Sequence, residues 1–140
     1  MIDQTEFIRK INLLEPFDGI EIGDISFRGQ RLDRRVQVNG ALFRGKVDFT
    51  GTRFAHPVSF RGSKFFGKVI FDAAQFEGKA DFASTEFHED ASFNEEVLFA
   101  KHVGFGSSIF YKKASFEKAL FQGETYFGYT RFSSDTNLSY

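Results

Sequence analysis

At 140 residues, with 18 Lys and Arg against 19 Asp and Glu, the chain can bury one sizeable core and has no global charge to draw it to nucleic acid or anionic lipid. It has no cysteine, which excludes a disulfide framework, a thiolate nucleophile and a Cys-based metal site. Its 21 phenylalanines, with no tryptophan and one methionine, point to a single structural slot used many times.

The N-terminal MIDQTEFIRK lacks the basic start and apolar run of a secretory signal. No stretch reaches the roughly 18 apolar residues of a membrane span, so a cytoplasmic setting is expected. Phe7, Ile8, Ile11 and Leu14 fall at helical spacing, and Asp3 with Glu6 has the arrangement of a capping box. These predict a short helix over residues 4–14, broken before Pro16. Residues 1–19 are therefore expected to form an N-terminal helical cap, and residues 20–140 the repeat that follows.

From Phe43 to Phe132 phenylalanine returns in alternating steps of five and six residues, with one slip near Phe99. The unit is an eleven-residue block such as KVDFTGTRFAH (46–56) or KVIFDAAQFEG (68–78). Two positions before most of these phenylalanines stands a small or β-branched residue, as at Val47, Thr52, Val58, Ser63, Val69 and Ala74. Two positions after, glycine is frequent, as at Gly45, Gly51, Gly62, Gly67 and Gly78. Helical geometry would scatter such phenylalanines around the axis, and a straight strand would flip every five-residue step to the opposite face. They share one core only if the chain bends once per unit, with glycine turning the corner. Short strands stacked in this way build a β-helical solenoid.

The units ALFRG (41–45), ADFAS (80–84), ASFNE (91–95) and ASFEK (114–118) resemble the repeats of the pentapeptide-repeat proteins, and the resemblance runs over residues 20–140. It implies an all-β fold, a right-handed quadrilateral β-helix with the central Phe or Leu stacked inside. Because every second unit has six residues, a coil should take about 22 residues, giving about five coils. Four interior ladders follow. The first is Phe27, Phe49, Phe71, Phe93, Phe116 and Leu138; the second is Leu32, Phe54, Phe76, Phe99 and Phe121. The third is Val38, Phe60, Phe82, Phe105 and Phe127; the fourth is Phe43, Phe65, Phe87, Phe110 and Phe132. At the slip Phe99 is expected to point inward, with a bulge near Lys101. Leu138 and Tyr140 stop the sequence in mid-coil with no evident cap. That predicts pairing of two copies through the C-terminal coil, as the resemblance also implies, or a longer parent chain.

No phosphate loop, metal motif or nucleophile elbow is present, so neither an enzyme nor a cofactor is expected. His56, His88 and His102 are expected on different faces or corners. Two surface features stand out. Residues 24–68 carry ten Lys and Arg against three acids, and residues 69–100 carry eight acids against one Lys. Arg31 and Arg53 should stack in one outward column, with Arg34 and Arg35 at the next corner. A second outward column follows the fourth ladder: Arg44, Phe66, His88, Tyr111 and Ser133. The expected role is a non-enzymatic protein-interaction module. The alternatives are a DNA mimic acting on gyrase, which the resemblance suggests, and binding of nucleic acid or another anion by the Arg-rich coils. The balanced net charge counts against nucleic acid.

Overall fold

Four columns of stacked aromatic rings fill the interior of the molecule. The computed structural model describes residues 1–133 and 136–137. Two-residue strands pair in parallel into four sheets, each contributing one face of a β-solenoid of about 5 turns, with about 22 residues per turn. Each face is numbered here by the ladder it carries. On the second and fourth faces the strand is an outward residue followed by the inward Phe, as at Arg53–Phe54 and Lys64–Phe65. On the first and third faces it is an inward small residue followed by an outward one, as at Val69–Ile70 and Val58–Ser59.

The expected ladders are the observed ones. Along each column, ring centroids of successive coils lie 4.4–5.7 Å apart and adjacent planes tilt by only 2–18°. That rise matches the spacing of hydrogen-bonded strands, so backbone pairing and ring stacking share one repeat. Tilted and edge-on contacts join neighbouring columns, for example Phe82 with Phe93 at 5.7 Å and 89°. The ladder rings from Phe43 through Phe110 are nearly inaccessible, whereas Phe121 and Phe127 are half-buried and Phe132 is 38% exposed. The top of the first ladder, Leu138, and the closing Tyr140 lie outside the described residues.

The two unit lengths make two kinds of corner. After the first and third ladders the chain closes a β-turn in which the ladder residue's carbonyl accepts from the N–H three residues on. Phe49 to Thr52 and Phe60 to Ser63 do so at 3.0 Å. The residue two beyond the ladder position is left-handed: Gly29, Gly40, Gly51, Gly62, then Ala73, Ser84, Ser107, Lys118 and Tyr129. Inward hydroxyls after these turns reach the coil below. Thr52 donates to the Phe27 carbonyl at 2.7 Å and Ser63 to the Val38 carbonyl at 2.8 Å, so these buried polar atoms are satisfied.

The longer corners, after the second and fourth ladders, use glycine differently. At Gly45, Gly67, Gly78 and Gly123 no left-handed backbone is needed, but an added Cβ would lie 2.1–2.7 Å from the coil below. Glycine therefore does not simply turn the chain, as its regular spacing suggests; half of these positions admit only a close approach of two backbones.

The slip is absorbed earlier than expected. Phe76 pairs with Phe99 and Phe99 is buried, so Phe99 does point inward. The bulge, however, is not near Lys101. The extra residue sits in the preceding short turn, where Glu95 and Glu96 are both left-handed, with φ of 57° and 63°. The corner holding Lys101 keeps the ordinary length, because the step from Phe93 to Phe99 is the one that grew.

The helix α1 spans Gln4–Asn12 and ends two residues sooner than expected. Leu14 is left-handed at φ 53°, its N–H bonds the Ile11 carbonyl, and the Glu15 N–H bonds the Lys10 carbonyl at 3.0 Å. This is a Schellman closure, which ends the helix before Pro16 can. Only half of the capping box forms. Asp3 accepts from the Glu6 N–H at 3.0 Å, but the Glu6 carboxylate turns to Arg9 instead. Phe7 drops into the first coil against Phe17, Phe27 and Phe43, with centroids 5.3–6.4 Å away. Ile2 pairs with Ile22, and the Gln4 carboxamide both donates to and accepts from the Ser26 backbone, covering otherwise unpaired strand edges.

Candidate functional site

The outward column after the fourth ladder is a continuous stack. The Arg44 guanidinium lies 4.3 Å from the Phe66 ring centroid, Phe66 lies 4.7 Å from His88, and His88 lies 4.6 Å from Tyr111. The two ring pairs are tilted by 28° and 26°. The solenoid imposes this order. Each residue opens a six-residue corner one position after an inward Phe, and its N–H is held by the coil below, as in Phe66 to the Phe43 carbonyl at 2.9 Å. Phe66 and His88 are half-buried, while Tyr111 is 40% exposed. Ser133, the last position of the column, is exposed.

Charged neighbours flank the stack. Glu21 accepts from Arg44 at 2.9 Å, and Glu86 lies 3.0 Å from His88 Nε2 and 3.6 Å from Lys64. Glu21, Lys64 and Glu86 were absent from the residues singled out by sequence. The 22-residue register was the signal that could have found them, since it places them in one outward column beside the stack.

Arg31 and Arg53 occupy paired positions on the second face, as their spacing requires. The side chains do not act together, however. Arg31 lies 3.6 Å from Asp33, whereas Arg53 turns to Glu77 at 2.5 Å. Asp33 also meets His56 at 3.0 Å. That hydrogen bond first, and Arg31 second, hold its carboxyl below the usual range. Arg34 bonds the Asn12 side chain, and Arg35 lines a depression on the third face. The four arginines therefore form no single cationic cluster.

Part of the uneven charge along the sequence is compensated in space. Arg53–Glu77, Arg61–Asp81 at 3.3 Å and Lys64–Glu86 all join the basic coils to the acidic ones. Stacking places residues about 22 apart side by side, so opposite blocks that are neighbours in sequence meet across one coil step. The histidines also differ from expectation. His56 and His102 share the corner before the third face, two coils apart, while His88 lies after the fourth. Among the described residues no group of three or more His, Asp and Glu is placed to hold a metal ion. Among them, too, no helix is long and apolar enough to cross a membrane.

Stacked parallel sheets, a 22-residue coil and a short N-terminal helix define a repeat-built β-solenoid, a structural module whose faces are set by its interior. Residues 49–97 match the family model described as Pentapeptide repeats, in nine copies, and the β-solenoid is consistent with a pentapeptide-repeat protein. No curated protein and no solved structure matches it.

Proposed function

We propose that this solenoid is a non-enzymatic protein-interaction module that presents the Arg44–Phe66–His88–Tyr111 corner to a partner protein. The observation that carries this reading is the stack itself. Three aromatic rings and a guanidinium are aligned on a backbone bonded coil to coil, so little conformational entropy remains to be lost on binding. Aromatic and arginine side chains are also the types most enriched where interfaces concentrate their energy. The flanking Glu21, Lys64 and Glu86 supply a polar rim. The DNA-mimic reading draws less support, because Glu77, Asp81 and Glu86 are each engaged by a basic side chain.

A photo-crosslinking residue at Tyr111 tests the assignment. The protein it captures should be lost when Phe66→Ala is added, with melting lowered by no more than a few degrees. Capture that survives Phe66→Ala rejects this corner as the site. Self-association through the last coil is a second part of the proposal, supported by the exposure of Leu120 and Phe132 there. Sedimentation should show a dimer at micromolar concentration, and a monomer would remove that part.

A further inference from the structure

The third face differs from the other three. Its outward strand positions run Gln37, Ser59, Asp81, Gly104 and Tyr126, so the floor shortens to a bare glycine before an aromatic wall. Hollows of about 260, 160 and 420 Å³ lie along it. The first two share Arg35 and Gln37, and the last two share Lys79 and Asp81, so together they make one trough along the solenoid axis. Four coil steps of about 4.8 Å give it a length on the order of 19 Å, enough for about six extended residues.

Charge and shape define what fits. Arg35, Lys79 and His102 occupy equivalent positions along one edge, and Arg61 stands on the other. Neither Arg35 nor Lys79 has an ion-pair partner among the described residues. Asp81, the one acid on the floor, is met by Arg61 at 3.3 Å and by the Ala83 N–H at 2.8 Å. Glu15 and Asp18 also line the hollow nearest the helix. Glu15 is taken up by Arg9 and Lys10, which leaves Arg35 and Lys79 against Asp18, so the uncompensated charge of the trough is positive. At its widest point Gly104 leaves room, and the Tyr126 ring leans over Gly106, where an added Cβ would come within 2.9 Å of it. Backbone groups on this face already bond coil to coil, as in Val58 N–H to the Lys79 carbonyl, so recognition here falls to side chains.

We propose that this trough binds an extended acidic peptide segment of a partner protein, with carboxylates on Arg35 and Lys79 and one bulky side chain at Gly104 beside Tyr126. The site is separate from the aromatic corner and does not depend on it. A peptide is favoured over single-stranded nucleic acid for two reasons. Base stacking needs aromatic platforms along the groove, and here Tyr126 stands alone at one end. The floor also holds the Asp81 carboxylate, which a phosphate backbone would have to pass.

Fluorescence anisotropy of a short labelled peptide, glutamates flanking one phenylalanine, tests the proposal on the full chain. Saturable binding is expected, weakening with salt and falling at least about tenfold in Arg35→Glu and in Lys79→Glu. Lys79→Gln, a milder change, should move affinity the same way should charge reversal disturb folding. Gly104→Leu should weaken the phenylalanine peptide more than an all-glutamate one; a side chain fits there, since an added Cβ meets only His102 Nε2, at 3.4 Å. Phe66→Ala should leave binding unchanged, which separates this site from the aromatic corner. Absence of saturable binding, equal affinity in the charge variants, or tighter binding of a matched-length oligo-dT would each overturn the assignment.

Discussion

Gly51 and Gly67 lie sixteen positions apart and look alike in the repeat, yet they answer different demands. Gly51 has φ 64°, an added Cβ there would make only ordinary contact with Gly29 at 3.8 Å, and the same turn position is held elsewhere by Ala73, Ser84 and Lys118. Gly51→Ala should therefore cost only about 1 kcal/mol, the penalty of a left-handed non-glycine residue. At Gly67 an added Cβ would lie 2.5 Å from the Gly45 carbonyl oxygen, and that atom belongs to backbone. Gly67→Ala should cost about 2–3 kcal/mol, because two coils must separate to admit it. Urea denaturation of the two variants checks the order; equal losses would show that the backbone contact is not limiting. At the same scale, Asp48 balances opposing effects. Burial pushes its carboxyl up, while the Thr50 hydroxyl and N–H, with Arg28, outweigh that and bring it below the usual range.

The N-terminal helix is the element whose removal should be felt most by the coil beneath it. Phe7 is fully buried there, so Phe7→Ala should cost about 3–5 kcal/mol and expose the foot of the first ladder. Arg9 gathers Glu6 at 2.6 Å and Glu15 at 2.9 Å, tying the helix to the segment that follows it. The hydrogen bonds from Arg9 hold both carboxyls below their ordinary values. Groups depressed in the folded state contribute stability above the unfolded glutamate value, about 4.3. That contribution is lost as pH falls through the lower folded values. Amide protection factors in α1, taken relative to the intrinsic exchange rate at each pH, should therefore fall on acidification below about pH 4 before those of the solenoid, and Arg9→Gln should erase the difference. Protection factors in α1 that stay independent of pH would contradict the sign.

Across the whole molecule, stability is carried by contacts between adjacent coils, since each coil bonds mainly to the ones above and below. Phe82 sits at mid-height, stacked on Phe60 at 5.5 Å and Phe105 at 4.9 Å, with edge contacts to Phe71 and Phe93. Phe82→Ala should cost about 3–5 kcal/mol, whereas Phe66→Ala, on the half-buried corner, should cost under about 1.5 kcal/mol. Thermal denaturation of the pair checks whether the interior ladders and the outward stack are as distinct in energy as in placement. The ion pairs linking basic and acidic coils are largely exposed and contribute about 0–1 kcal/mol each. Their larger effect is on the surface field, where they offset part of the charge blocks of the sequence.

The sequence by itself determined the coil. A side chain the size of Phe, returning every five and then six residues after a small neighbour, leaves one way to bury all the rings. The ladders, the register of 22 and the inward Phe99 follow from it. The outward column Arg44, Phe66, His88 and Tyr111 was legible for the same reason, because residues one coil apart must stack. Only the tertiary structure decided what each outward side chain touches. Arg53 reaches Glu77 rather than pooling with Arg31, and Arg34 is taken by Asn12 on the helix. The same limit hid the two uses of glycine, since a left-handed turn and a crowded corner read alike at two residues past a Phe. The trough on the third face was hidden too. It depends on how far Gln37, Ser59, Asp81 and Gly104 project from the sheet, and on Tyr126 leaning aside. An inward position is dictated by a close-packed core with one solution, whereas an outward side chain chooses among several neighbours of similar energy.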